Sequence, residues 1–267
     1  MLKDITLGQY YQTDSVIHRL DPRVKLVSTV VFIISLFIVD NFIGYLIAAA
    51  FLFAVIKLSK VPFSFMVRGM KSILILLLFA VVFNLFLTPG EVLVSFWKLK
   101  ITKEGLRLAV MMAVRLMFLI IGSSVMTLTT TPNHLTDGLE KLLNPLKVFK
   151  VPVHEIAMMM SIALRFIPIL LEETDKIMKA QIARGADFES GNLFKKAKSL
   201  VPLLVPLFIS AFRRANDLAT AMEARCYRGG EHRTKMKPLV YAKRDFMAYA
   251  FVFGYLVLCI VFGKILF

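Results

Sequence analysis

The chain has 267 residues, of which 58% are hydrophobic and only 19% charged. A water-soluble domain is nearer half apolar and about a quarter charged, so this balance excludes an ordinary soluble globule. The formal net charge of +15 leaves two readings open, a nucleic-acid partner or the basic loops of a membrane protein.

Crossing a bilayer as a helix takes roughly 17–25 predominantly apolar residues. Within lipid every backbone donor and acceptor must be satisfied by the protein itself, which leaves helices or closed barrels. The apolar runs here are continuous rather than alternating, so helices are predicted. Residues 1–25 are polar and no cleavable leader is expected. The first membrane helix is predicted over residues 26–39 and the second over 42–56, with Asp40 and Asn41 as the turn between them. Both charge-free stretches are short, and Lys25 and Lys57 can snorkel at their ends. The third, residues 72–90, has no charge; the fourth, 108–128, contains Arg115; the last covers 246–263. Five spans are expected. Asn84, late in the third, is expected to hydrogen-bond between helices. Arg115 is expected to snorkel or to pair with a carboxylate or phosphate, the alternative being a coupling role inside the bundle.

Between the fourth and last spans, residues 130–245 read as helices. Thr131 can cap a short helix from Pro132 to Leu143, with proline in its favoured first turn. Asn144 and Pro145 end it, and Pro152 opens a long helix reaching Ala183. Residues 189–192 break the chain, a second long helix is predicted over 193–227, and Gly229 and Gly230 stop it. Pro168, Pro202 and Pro206 are expected to kink these helices. Basic residues number four in 1–25 and four in 57–71, against none in the 40–41 turn, which puts the N-terminus and residues 130–245 in the cytoplasm and the C-terminus outside.

Both long helices end alike. The first closes with Ile177, Ala180, Ala183, Arg184 and Gly185; the second with Leu218, Ala221, Ala224, Arg225 and Cys226, 41 residues later. Positions three and four apart share a helix face. Each helix therefore has a slim small-residue face and one arginine at its tip. Arginine presents a planar fork of donors to carboxylates or helix-end carbonyls. A lone arginine there would simply favour the helix dipole. The duplication, with matched alanines, asks for more.

Together with the stretch HRLDPRVKL at 18–26, these motifs resemble the transmembrane component of energy-coupling factor (ECF) transporters, the family that includes the cobalt-transport CbiQ proteins. The resemblance covers nearly the whole chain. It implies an all-α multi-pass membrane protein of a prokaryotic cell membrane. Residues 1–129 are then the N-terminal membrane helices, 130–245 cytoplasmic coupling helices, and 246–267 a final membrane helix. It implies that Ala183, Arg184, Gly185, Ala224, Arg225 and Cys226 dock into two ABC-type ATPase subunits. A separate substrate-binding membrane subunit would capture a vitamin or metal ion. The apolar stretches 156–171 and 199–212 are either internal core or a face for that subunit, with Met158, Met159, Met160, Leu203, Leu204, Leu207 and Phe208 as its candidate contacts.

Other function classes fit less well. There is no GxxxxGK[ST] loop for ATP phosphates, no HExxH and no GxSxG, so a non-catalytic chain without cofactor or metal is expected. An intramembrane enzyme would need acidic or histidine clusters at the membrane edge, and His18, His134, His154 and His232 are scattered. A secondary transporter would show repeated span bundles, whereas the repeat lies in residues 130–245. That segment holds 19 basic and 12 acidic residues, interspersed, which argues against a nucleic-acid partner. With the C-terminus outside, Lys264→Cys should react with an impermeant thiol reagent on intact cells. Labelling only after permeabilisation reverses the orientation.

Overall fold

The computed structural model describes residues 10–71, 74–96, 99–186, 188, 199–230 and 235–265. They divide into two compact units, one over Gly8–Lys141 and Leu239–Phe267, the other containing Leu142–Pro238. The start of the segment predicted as helical over 193–227 lies outside the described residues up to 198.

In the first unit the helices are α1 (Pro22–Ile38), α2 (Phe42–Ser59), α3 (Phe63–Lys71), α4 (Leu74–Leu87), α5 (Lys103–Thr129) and α6 (Pro132–Leu143), closed by α9 (Lys243–Ile265). The second unit holds a 3-10 turn (Asn144–Phe149), α7 (Val153–Ala183) and α8 (Val201–Ala224). The protein is an all-α membrane protein with one small β addition. Among the described residues α2, α5, α7 and α9 are long and apolar enough to cross a bilayer. α1 has 17 residues and α4 has 14. At about 1.5 Å per residue α4 covers roughly 21 Å, short of a hydrocarbon core of ~30 Å.

The third predicted span differs from expectation. Its helical part ends at Leu87, because Pro89 and Gly90 cannot extend the ladder, and residues 72 and 73 lie outside the described residues. After it comes an antiparallel hairpin of β1 (Val92–Phe96) and β2 (Leu99–Thr102), which hydropathy alone did not reveal. Thr102 then caps α5 by accepting from the Gly105 amide at 3.0 Å. Asn84 does not reach another helix: its amide donates to the Ala80 carbonyl one turn back at 2.9 Å. The approach of α4 to α5 uses Gly105 instead, where a Cβ would stand 3.1 Å from the carbonyls of Asn84 and Leu85.

The core lies between α1, α2, α5 and α9. Phe51 stacks on Tyr255 with ring centroids 4.1 Å apart and on Phe251 at 5.5 Å. Ser35, fully buried, shares a 2.7 Å hydrogen bond with the Tyr255 hydroxyl, so this buried polar pair is satisfied. Arg115 is also accounted for. Its guanidinium donates to the Tyr45 hydroxyl at 2.9 Å, to the Val39 carbonyl at 3.2 Å and to Asp40 at 3.1 Å. It thereby ties α5 to the turn between α1 and α2, the carboxylate pairing that the sequence suggests.

The stretch at 18–26 forms a polar clasp. Asp21 caps α1 by accepting from the Arg23 amide at 2.9 Å, and its carboxylate receives the Arg23 guanidinium at 2.9 and 2.7 Å. Arg23 also lies over the Tyr241 ring at 3.7 Å. Burial raises the Asp21 pKa and the Arg23 hydrogen bonds lower it further, so the net shift is downward. Lys25 donates to the carbonyls of His18 and Thr129, at 3.1 and 2.8 Å. Asp245, 1% exposed, accepts from the Asp21 amide at 2.9 Å and from the Ala242 amide at 2.7 Å. α6 reaches the same place, since a Cβ on Gly138 would lie 3.2 Å from Leu26 and Pro22.

Removing the Asp245 carboxylate strands two amides. Asp245→Ala should lower stability by about 3 kcal/mol, and Asp245→Asn by less because one acceptor survives. Thermal melting of the detergent-solubilised chain reads both; equal melting for wild type and Asp245→Ala would show the clasp to be redundant. The Asp21 contribution is present in full above its ordinary pKa of 3.8 and is lost as the pH falls through the lowered folded value.

Candidate docking site on a pair of antiparallel helices

α7 and α8 carry the repeated motif, and both lie in the second unit. Glu173 on α7 receives the Arg214 guanidinium from α8 at 2.8 Å. These two positions are themselves 41 residues apart, the offset of the motif repeat. Gln181 lies 3.4 Å from the Pro202 carbonyl, and Met158 and Ile162 share a hollow with Leu218 and Met222. Early residues of one helix therefore meet late residues of the other, so the pair is antiparallel. Contact between equivalent positions places an approximate two-fold axis at Glu173 and Arg214. Arg184 and Arg225 each follow that axis by 11 residues, in opposite directions. At about 1.5 Å per residue they are roughly 33 Å apart, at opposite ends of the pair.

Each helix ends in the same hydrogen-bonded turn. In α7 the Gly185 amide donates to the Ile182 carbonyl at 2.9 Å and the Ala186 amide to the Gln181 carbonyl at 3.0 Å. In α8 the Cys226 amide donates to Glu223 at 2.8 Å and the Tyr227 amide to Met222 at 3.0 Å. These are two Schellman turns with arginine as the last half-helical residue, at φ −89° and −94°. The next residue must be left-handed: Gly185 has φ +89° and Cys226 has φ +55°. Glycine accepts that without cost, while a residue with a Cβ is strained by roughly 1–2 kcal/mol. The backbone thus satisfies the helix end by itself, and the arginine side chain is not needed as a cap.

Arg184 and Arg225 are exposed, and neither has an ion-pair partner among the described residues. Ala180, Ala183, Ala221 and Ala224 are exposed as well, whereas Ile177 and Leu218 of the same motif are half-buried. Each tip therefore offers a free guanidinium beside a smooth alanine face. Next to Arg225 lies a hollow of about 510 Å³ bordered by Met158, Ile162, Met222 and Tyr227. At Gly230 a Cβ would lie 2.4 Å from the His154 ring, so the chain leaving α8 folds back on the start of α7.

The apolar candidates separate. Met159, Met160, Leu204 and Phe208 are exposed, and Met158 and Leu207 are half-buried. Leu203 is 7% exposed and belongs to the packed interior, so it cannot contribute to an outer face. Two helix details also differ from expectation. α8 begins at Val201, with Pro202 in its first turn where proline is favoured, so only Pro168 and Pro206 are internal. α8 also ends at Ala224 rather than at Tyr227, because Cys226 takes the left-handed conformation that stops a helix.

α7 and α8 thus present two matched helix tips, and the comparisons with known proteins give the class. The family model described as cobalt transport protein, CbiQ, matches residues 13–236. An energy-coupling factor transporter transmembrane protein EcfT of Clostridium kluyveri is 60% identical over 250 residues, 93% of each chain. The EcfT of Heliobacterium modesticaldum is 52% identical over 266 residues, covering 100% of both, and that of Bacillus subtilis 48% over 246 residues, 92% of this chain and 93% of its own. The chain belongs to the CbiQ/EcfT family and is a transmembrane component of ECF transporters.

The left-handed position can be tested directly. Gly185→Ala should destabilise the α7 turn by about 1–2 kcal/mol although nothing lies within 4 Å of the added Cβ, and Cys226→Gly should relax the α8 turn by about 1 kcal/mol. Hydrogen exchange at the amides of Ala186 and Tyr227 should speed up in the first variant and slow down in the second. Unchanged protection in both would mean the turns are not what holds the tips.

Proposed function

We propose that this chain couples ATP hydrolysis by two ABC-type ATPase subunits to uptake of a vitamin or metal ion through a separate substrate-binding membrane subunit. The observation that carries the reading is the pair of identical backbone-capped turns, each freeing one arginine. One ATPase engages Arg184 with Ala183 and Gly185; the other engages Arg225 with Ala224 and Cys226. Truncating one partner of a desolvated charge pair typically costs roughly 2–5 kcal/mol. The helices between the tips are stiff hydrogen-bonded rods, so a change in separation of the two ATPases moves α7 against α8. The exposed Met159, Met160, Leu204 and Phe208, with half-buried Met158 and Leu207, form the face on which the substrate-binding subunit sits. Methionine suits a surface that must repack as partners exchange.

In this reading α7 and α8 lie on the cytoplasmic side of a prokaryotic cell membrane. α7 is apolar enough to span, but it carries Arg165, Glu172, Glu173, Asp175, Lys176 and Lys179, and the last four fall within two turns. The chain itself does not hydrolyse ATP, for want of a phosphate-binding loop. Arg184→Ala and Arg225→Ala should each weaken ATPase attachment, and the double variant should lose uptake while still inserting. Lysine at either position should rescue poorly, because an ammonium lacks the planar fork. Uptake and ATPase co-purification are to be measured side by side; wild-type values for the double alanine variant would reduce these arginines to surface charges.

A further inference from the structure

The first unit contains an apolar cavity of about 290 Å³ that borders the clasp at Lys25. It lies between α1, α2, α5 and α9, under residues 16–20 of the N-terminal segment. Its deep wall is aromatic and close-fitting: Phe32 and Phe51 stack at 5.8 Å, and a Cβ on Gly122 would collide with the Phe32 ring at 2.5 Å. Val16, Leu58, Met247 and Phe251 line it and are exposed, so they form its mouth.

The polar groups of this cavity are gathered at one end, where α1 and α9 begin and α5 finishes. Thr29 and Thr129 are there, but their hydroxyls donate to their own helices, at the carbonyls of Lys25 and Val125. Ser28 adds one hydroxyl from α1, and the charged groups of the lining are both cationic. Lys25 has three donors and spends two on the carbonyls of His18 and Thr129. Arg244 is exposed and has no ion-pair partner among the described residues. An apolar slot with two cations at one end is complementary to an anionic amphiphile. A free phosphate would gain nothing from the aromatic wall. A partner helix, about 10 Å across and 5.4 Å per turn, is too wide for the space.

We propose that this cavity holds one acyl chain of an anionic phospholipid, with the headgroup between Lys25 and Arg244. The site takes its lipid from the leaflet that meets the start of α1 and α9. A lipid seated there packs against Phe32, Phe51 and Phe251 and covers the outer side of the clasp. This inference rests on the cavity and its charges alone and stands or fails separately from the docking of ATPases.

The test uses the full chain in detergent micelles, titrated with phosphatidylglycerol or with phosphatidylcholine of the same acyl chains and read by native mass spectrometry. Wild type should retain one phosphatidylglycerol in preference to phosphatidylcholine. Arg244→Gln, a surface change that leaves the core intact, should weaken that retention by roughly fivefold, the worth of one cation at an anionic surface. Ala248→Phe, which projects a ring into the cavity, should abolish retention of both lipids. Equal retention of the two headgroups, or unchanged retention in both variants, overturns the proposal. So does a photocrosslinker at Met247 that captures a protein subunit instead of lipid in the native membrane.

Discussion

The buried carboxylate of Asp245 is the contact on which the arrangement of this chain depends. It accepts from the Asp21 amide and so joins the first and last membrane helices at one point. Lys25, one turn into α1, holds the Thr129 carbonyl at the end of α5. The chain departs for α7 and α8 soon after Thr129 and returns just before Asp245. The start of α9 and the end of α5 are thus both held at the first turn of α1. A carboxylate can do this where a neutral side chain could not, because it accepts two short hydrogen bonds in a place with almost no water to substitute.

Within the second unit, the repeat of 41 residues has a structural meaning that neither copy has alone. Two helices related by a two-fold must touch at equivalent positions, and Glu173 and Arg214 do so with opposite charges. An ion pair on such an axis cannot be built from identical residues, so this pair marks where the duplication departs from symmetry. The exposed alanines and half-buried Ile177 and Leu218 keep the symmetry at both tips.

Much of this was legible from residue pattern. Apolar runs located α1, α2, α5 and α9 because burial in lipid demands length and continuity together. Each helix extends a few residues beyond its charge-free stretch, since Lys25 and Lys103 lie inside the helical ladder. The paired arginines stood out because duplication is visible in one sequence. The Schellman turns did not, because Gly185 announces a left-handed residue and Cys226 conceals one. The hairpin after α4 escaped because short strands carry little hydropathy signal. The clasp escaped because Asp21 and Asp245 are 224 residues apart, a pairing no local pattern encodes. Leu203 looked like its neighbours in composition; only packing distinguishes it from Leu204.

The approximate two-fold of α7 and α8 constrains what can bind both tips at once. Whatever grips Arg184 and Arg225 together must offer two like grooves, related by a rotation that coincides with the axis through Glu173 and Arg214. Two copies of one protein satisfy this, and so do two paralogues descended from one. A receptor with near-identical ends imposes no preference between those arrangements. What it forbids is a translational repeat, so two head-to-tail partners could never occupy both tips in the same way.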